Sequence, residues 1–376
     1  MRYAVTLALA LMMPLSAVAA VRRVGPGDSI QAAVDAASPG DTIVIAPGTY
    51  HEPGRPCPTD ASHTCAVVVS TDDLTLVGQG PAVLENAGGQ DQGLVFAKAG
   101  AEGASCLTDP AQRVQGATVR GLTVNGFGGE GIFLLCVDQW LVDSCSANDN
   151  VEYGIFPSHC GPGRVTGSLA TGANDTGIYI GQSHDVRVDH NVARGNVSGF
   201  EIENCSNVQL DHNLATGNTG GILSFTLPFL DVNQNVHNQI ESNIVRDNNK
   251  ANTCVDPTDA VCGVLSGTGI LVLAADDNLV AHNVVMGNDT FGIAVANFCV
   301  AQGIDDTTCA ALGIEPNADD ARVVFNVVFG NGTDPDPRLL NPVFAVDLAW
   351  DTTGSGNCWS NDQFRTSFPE DLPSCS

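Results

Sequence analysis

Glu201 and Glu203 stand two residues apart in the segment GFEIEN, a spacing that puts both carboxylates on one face of an extended strand, with Cα atoms roughly 6.5 Å apart. Two acids so placed could act as general acid and base across a glycosidic bond, or together chelate Ca²⁺. Apolar neighbours and mutual repulsion would raise at least one of their pKa values. Groups suited to holding a sugar surround them in sequence: Tyr153 and His159 in YGIFPSHC, Tyr179 and Gln182 in GIYIGQS, Asn204 beside the acids, and Phe225. Aromatic faces stack on sugar rings, and amides and carboxylates fix hydroxyls. A structural role for the acids, bonded to loop backbone or to Asn and Gln neighbours, stands beside the chemical one.

These residues share a strip only if the chain winds regularly, and its period says that it does. A Gly followed by β-branched or apolar residues recurs at Gly131, Gly154, Gly177, Gly199, Gly221, Gly269 and Gly292, at intervals of 22 or 23 residues except for one of 48. A second marker, an Asn that usually follows His, lies fourteen residues after its Gly at Asn191, Asn213 and Asn283; Asn243 and Asn326 match it once insertions are allowed for. A coil of about 22 residues is too short for a strand plus a crossover helix but fits three short strands. The expected fold is therefore all-β: a single-stranded right-handed parallel β-helix, a solenoid with a short N-terminal capping helix and disulfide-stapled loops. Successive coils would lie roughly 4.8 Å apart, which stacks the asparagines into one hydrogen-bonded column.

Alternation then sends every second residue outward. One outward column reads Phe133, Phe156, Tyr179, Glu201, Leu223, Leu271 and Ala294; the next runs from Leu135 through Ser158, Gly181, Glu203, Phe225 and Leu273 to Ala296. A solvent face does not carry so many large apolar residues, so this one is either a ligand groove or covered by protein. The insertion at 226–233, TLPFLDVN, begins beside it and leaves both open.

Composition narrows the function classes. Fifteen Lys and Arg against 42 Asp and Glu give a net charge of −27 over 376 residues, a field that repels nucleic acid, anionic lipid and polyanionic sugars unless a cation intervenes. Residues 1–20 read as a signal peptide, with Arg2, an apolar run and small residues before a cleavage point near Val21. No later apolar run approaches a membrane span. The chain is expected to be secreted or periplasmic and monomeric, with residues 21–333 as the β-helix domain and 334–376 as an irregular C-terminal cap. Thirteen Cys then enter an oxidising compartment. Proximity pairs Cys57 with Cys65, Cys254 with Cys262, Cys299 with Cys309 and Cys358 with Cys375; Cys136 could bridge Cys160, Cys106 could bridge Cys145, and Cys205 is left over.

The opening VGPGDSIQAAVDAASPGDTIVIAPGTY resembles the first segment of many exported β-helices of the pectin-lyase-like superfamily. The run YGIFPSHC, GIYIGQS, GFEIEN, NTGGILSFTLP and GTGIL resembles a bacterial family of exported parallel β-helix repeat proteins, often encoded beside another exported protein. The resemblance implies the fold and no assigned reaction. Tyr153 to His159 is also similar to the Tyr-Gly-Phe-Asp-Pro-His motif of alginate epimerases and lyases, but Phe156 stands where the Asp should be and Ser158 where the His should be. Pectin-hydrolase-like β-helices carry paired Asp, and here Asp276-Asp277 reads as a turn. His190, His212 and His282 precede the column asparagines, which invites comparison with the β-helix protein of the nitrous-oxide-reductase copper pathway, though Ser242 interrupts them.

The leading expectation is an exported β-helix that binds, and in its enzymatic version cleaves as hydrolase or lyase, a neutral or weakly charged glycan, with Glu201 and Glu203 as acid and base. Tyr153, His159, Tyr179, Gln182, Asn204 and Phe225 would line the site. No resident cofactor or metal is expected apart from Ca²⁺ held by the acids. The alternatives are a non-catalytic scaffold docking a second exported protein, and periplasmic copper handling.

Overall fold

A computed structural model describes residues 19–375, so the signal peptide expected over residues 1–20 falls almost wholly outside the described residues. The chain winds into coils of short strands that pair in parallel with the strand one coil away. The exception is Arg55–Pro56, which lies antiparallel to Thr64–Val69. One wall of the solenoid is a 12-stranded sheet containing Ile155–Ser158, Thr176–Gly181, Ser198–Glu203, Gly220–Phe225, Thr268–Leu273 and Phe291–Ala296; the remaining walls form a 20-stranded sheet. Inward residues such as Ile178, Phe200, Ile222 and Ile270 fill the interior as one continuous core.

Register confirms the period. Tyr179 lies opposite Glu201, Glu201 opposite Leu223, Leu223 opposite Leu271, and Leu271 opposite Ala294. The asparagine column is present: the side-chain amides of Asn191, Asn213, Asn243 and Asn283 each donate to the next Oδ1 at 3.0 Å, ending on Asn326. Each Oδ1 also accepts the backbone N–H of the preceding Asn, so turn groups that no strand can pair are satisfied inside the wall. A second column, five residues on, runs from Asn196 through Asn218, Asn248 and Asn288 to Asn331. The marker glycines follow from it. A Cβ on Gly177 would sit 2.6 Å from Asn196 Nδ2, and one on Gly199 would sit 2.6 Å from the Gly221 carbonyl oxygen. His190, His212 and His282 occupy the left-handed turn positions just before the first column, with φ of 58°, 56° and 57°.

The ends differ from expectation in detail. Ser29 caps the helix Ile30–Asp35, its Oγ accepting from the Ala32 N–H. The stack opens with Val21–Val24, which pairs with Thr42–Ile45. Residues 334–376 are not wholly irregular: Leu348–Trp350 and Cys358–Ser360 add to both sheets, although their sequence has lost the Gly and Asn markers.

Five disulfides form, including the four short-range pairs expected. Cys205 is free and buried, as expected, but the other two pairings are corrected: Cys136 bonds Cys106, which leaves Cys145 and Cys160 free and buried as well. Cys136 lies on the outer surface, under the short helix Gly103–Cys106. Cys160 instead points inward, its thiol directed at the Leu134 carbonyl, because an offset one residue longer from its Gly reverses the face. Burial raises the Cys145 and Cys160 thiols to about 11 and about 12, which keeps them protonated and inert.

Candidate functional site

The outward strip is both covered and hollow. At its first coils Phe133 and Leu135 are sealed by the segment tied through Cys106–Cys136. At its last coils Leu223, Phe225 and Leu273 pack against Val261, Val264 and Phe298 from the two long insertions. Between strip and insertions lies a cavity of about 930 Å³, whose lining includes Tyr153, Tyr179, Glu201, Glu203, Leu223 and Phe225. The insertion at 226–233 contributes Leu227 to the wall without closing the space above the acids.

The polar end is built on two neighbouring strands, Thr176–Gly181 and Ser198–Glu203. Tyr179 stacks on Phe156 with centroids 4.3 Å apart and planes 6° from parallel, while Tyr153 leans on both rings at 5.0 and 4.8 Å. This packing fixes the tyrosine faces beside the acids. Gly181 intervenes between Ser158 and Glu203 in the second column and leaves room for the Phe156 and Tyr179 rings. Glu201 and Glu203 retain 5% and 7% exposure, so the carboxylates sit in a poorly solvated floor.

Electrostatics follow from that burial. Desolvation pushes the Glu203 carboxyl up to about 7, although the Tyr179 hydroxyl and the Gln182 amide, which donates to Oε1 at 2.8 Å, both favour its ionised form. Glu201 is raised by burial, with the Glu203 charge adding to the effect and the nearby Ser198 and Thr176 hydroxyls opposing it. Asp175 is raised by burial and then by Glu201, while its Oδ1 accepts from the Thr176 hydroxyl at 2.9 Å. Glu201, Glu203 and Asp175 thus lie together among the acids that line one cavity, and at neutral pH these three share protons.

The structure does not gather every residue singled out from sequence. Tyr153, Tyr179, Glu201, Glu203 and Phe225 line the cavity; His159, Gln182 and Asn204 do not. Gln182 positions Glu203. Asn204 is fully buried and clamps the 226–233 insertion, accepting from the Leu227 N–H at 2.8 Å and donating to the carbonyls of Leu227 and Val232. His159 lies beneath the same insertion, with Nδ1 2.8 Å from the Ser158 hydroxyl and Nε2 2.9 Å from Asp231. Asp175 and Glu152 are cavity residues that sequence reasoning missed. Asp175 sits in an Asn-Asp-Thr-Gly stretch that reads as a turn, and only its place at the mouth of the following strand signals more.

Metal-binding geometry is found elsewhere. Among the described residues, the carboxylates that approach ligand spacing are Asp276, Glu315 and Asp319, and the Glu201–Glu203 pair acquires no third ligand there. His190 and His212 stack at 5.1 Å, each with Nδ1 2.7 Å from its preceding Asp; His282 stacks instead on Phe325.

Residues 111–229 match the family described as right handed beta helix region. The A-module of the mannuronan C-5 epimerase AlgE4 of Azotobacter vinelandii is similar at a TM-score of 0.59 and 17% identity, over 92% of this chain and 95% of that one. A tailspike protein mutant of E. coli bacteriophage HK620, in complex with pentasaccharide, is similar at 0.61 and 12% identity, over 92% of this chain and 60% of that one. The Dettilon tailspike protein matches at 0.56 and 14% identity, over 91% of this chain and 67% of that one. The chain is a right-handed parallel β-helix. At such identities the likeness concerns this β-helix fold alone, and no curated protein matches the chain.

Proposed function

We propose that this protein is an exported glycan-binding β-helix whose cavity seats a neutral or weakly charged sugar on Tyr153 and Tyr179, with Glu201 and Glu203 accepting or donating at its hydroxyls. The observation that carries the reading is the paired carboxylates, held in a poorly solvated cavity floor beside stacked aromatic rings. An aromatic platform with adjacent acids suits sugar recognition, and a carboxyl near neutrality can exchange a proton at working pH. The saccharides named with two similar folds, mannuronan and a pentasaccharide, support the ligand class. The net charge of −27 favours an uncharged sugar over an anionic one. Five disulfides support export to an oxidising compartment.

In the enzymatic version, one of the two acids protonates the leaving oxygen while its partner, ionised, activates water or removes a proton from the sugar. The epimerase-like motif contributes nothing to this, since Phe156 is a stacking residue and no carboxylate stands in its place. A scaffold for a second exported protein gains less support, because the outward apolar residues are covered by the chain's own insertions.

A glycan array probed with residues 21–376, followed by turnover assays on the hits, tests the proposal. Saturable binding lost in Glu201→Gln/Glu203→Gln, with an unchanged circular dichroism spectrum, is the expected result. Turnover retained in that double variant would reject the acid–base version, and no binding to any neutral glycan would reject the reading itself.

A further inference from the structure

The cavity is divided along the solenoid axis. Its phenolic groups and four of its acids, Glu152, Asp175, Glu201 and Glu203, belong to the strands and turns up to Glu203, while Asp259 and Asp351 come from an insertion and the C-terminal segment. From Leu223 onward the floor is Leu271, Leu273, Ala294 and Ala349, and Phe298 and Phe344 face it from the insertion and the C-terminal segment. Strands bearing Leu223, Leu271, Ala294 and Ala349 are consecutive, so the apolar part extends about 14 Å at the spacing of neighbouring strands.

The charged groups Arg338 and Asp351 near that end are engaged within the protein, as is the side-chain oxygen of Asn341. Arg338 donates to the carbonyls of Cys262 and Val264 and to Asp336, Asn341 accepts from the Val343 N–H, and Asp351 accepts from the Asn297 N–H and from Thr353. A second or third sugar unit laid on Leu271, Leu273, Ala294 and Ala349 would surrender water hydrogen bonds that these side chains cannot replace, which disfavours a saccharide chain running the length of the cavity. At the other end the opposite holds. The Ser198 hydroxyl is buried beside Glu201 without a hydrogen-bond partner, and both glutamates keep lone pairs free for a ligand.

We infer that the ligand is an amphiphile, a sugar joined to a hydrocarbon aglycone, with the sugar at Tyr179, Glu201 and Glu203 and the hydrocarbon on Leu271, Ala294 and Phe344. This rests on the glycan reading above and extends it from the sugar to what the sugar is attached to. Hydrocarbon burial at this end needs no hydrogen-bond partner, and its contribution grows with each methylene removed from water.

Calorimetric titration with methyl, hexyl and octyl β-glucoside below their micelle concentrations, and with octyltrimethylammonium, tests the inference. Affinity should rise about fourfold per methylene, hence roughly fifteenfold from hexyl to octyl. That gain should vanish in Ala294→Phe, which fills the apolar seat, and shrink in Leu271→Ser, which wets it; a melting curve on each variant checks folding, and either variant alone suffices. Affinity independent of chain length, or unchanged in both variants, would overturn the inference, while glycan-array hits lost in the double glutamine variant would leave the glycan reading intact. Octyltrimethylammonium binding as tightly as octyl glucoside would reject the sugar head, and with it both readings.

Discussion

Replacing Glu203 by Gln should stabilise the protein at neutral and higher pH while impairing ligand binding. Burial raises the Glu203 carboxyl from an ordinary 4.5 to about 7, so the folded state holds a proton that the unfolded chain has already released. Below pH 4.5 both states are protonated and the residue is neutral to stability. As pH rises from there to about 7, the folded state is progressively penalised, and above 7 the penalty is constant. Its full size is about 3 kcal/mol, roughly three-quarters of which develops between pH 5 and pH 8. At 7% exposure the group is too buried for solvent screening to reduce this much. Gln does not titrate and can still accept from the Gln182 amide, so the stability difference between variant and wild type should grow by about 2 kcal/mol from pH 5 to pH 8. Urea unfolding of both proteins at the two pH values, with disulfides intact, measures that double difference, in which any packing effect of the substitution cancels. A difference that stays constant with pH would show that the carboxylate is solvated, and the account of a desolvated acid floor would fail.

Three further outcomes follow from the framework. Asn213→Ala should cost about 3–5 kcal/mol, because inside the wall it removes the side-chain partner of the Asn191 N–H and of the Val188 carbonyl and takes one hydrogen bond each from the Asn191 amide and Asn243 Oδ1; a melting temperature matching wild type would contradict the column. Gly177→Ala should destabilise by about 1–3 kcal/mol through overpacking against the Asn196 amide, read as an earlier urea midpoint. Alkylation of the intact protein should label none of Cys145, Cys160 and Cys205, and peptide mapping after denaturation should return these three modified with Cys106 joined to Cys136. A Cys136–Cys160 peptide would refute the inward orientation of Cys160.

Sequence alone determined the solenoid, because its cause is periodic. Close packing of Gly177 and Gly199 against the next coil, and an amide column that needs Asn at one phase, leave a repeating record in the chain. That record places Tyr179, Glu201 and Leu223 side by side, since strand alternation and a fixed coil length convert sequence separation into distance. Whatever depends on the insertions was decided only in three dimensions. Their paths have no period, so nothing in the sequence announces that Phe298 and Val264 pack over Leu223 and Phe225, or that Asp231 reaches His159 from 72 residues away. Asn204 shows the same division: its position on the coil was legible, but its task of clamping an insertion was not. The cavity itself belongs to tertiary structure, because a hollow is set by what fails to fill it, and packing among distant loops leaves no local pattern in the residues that surround it.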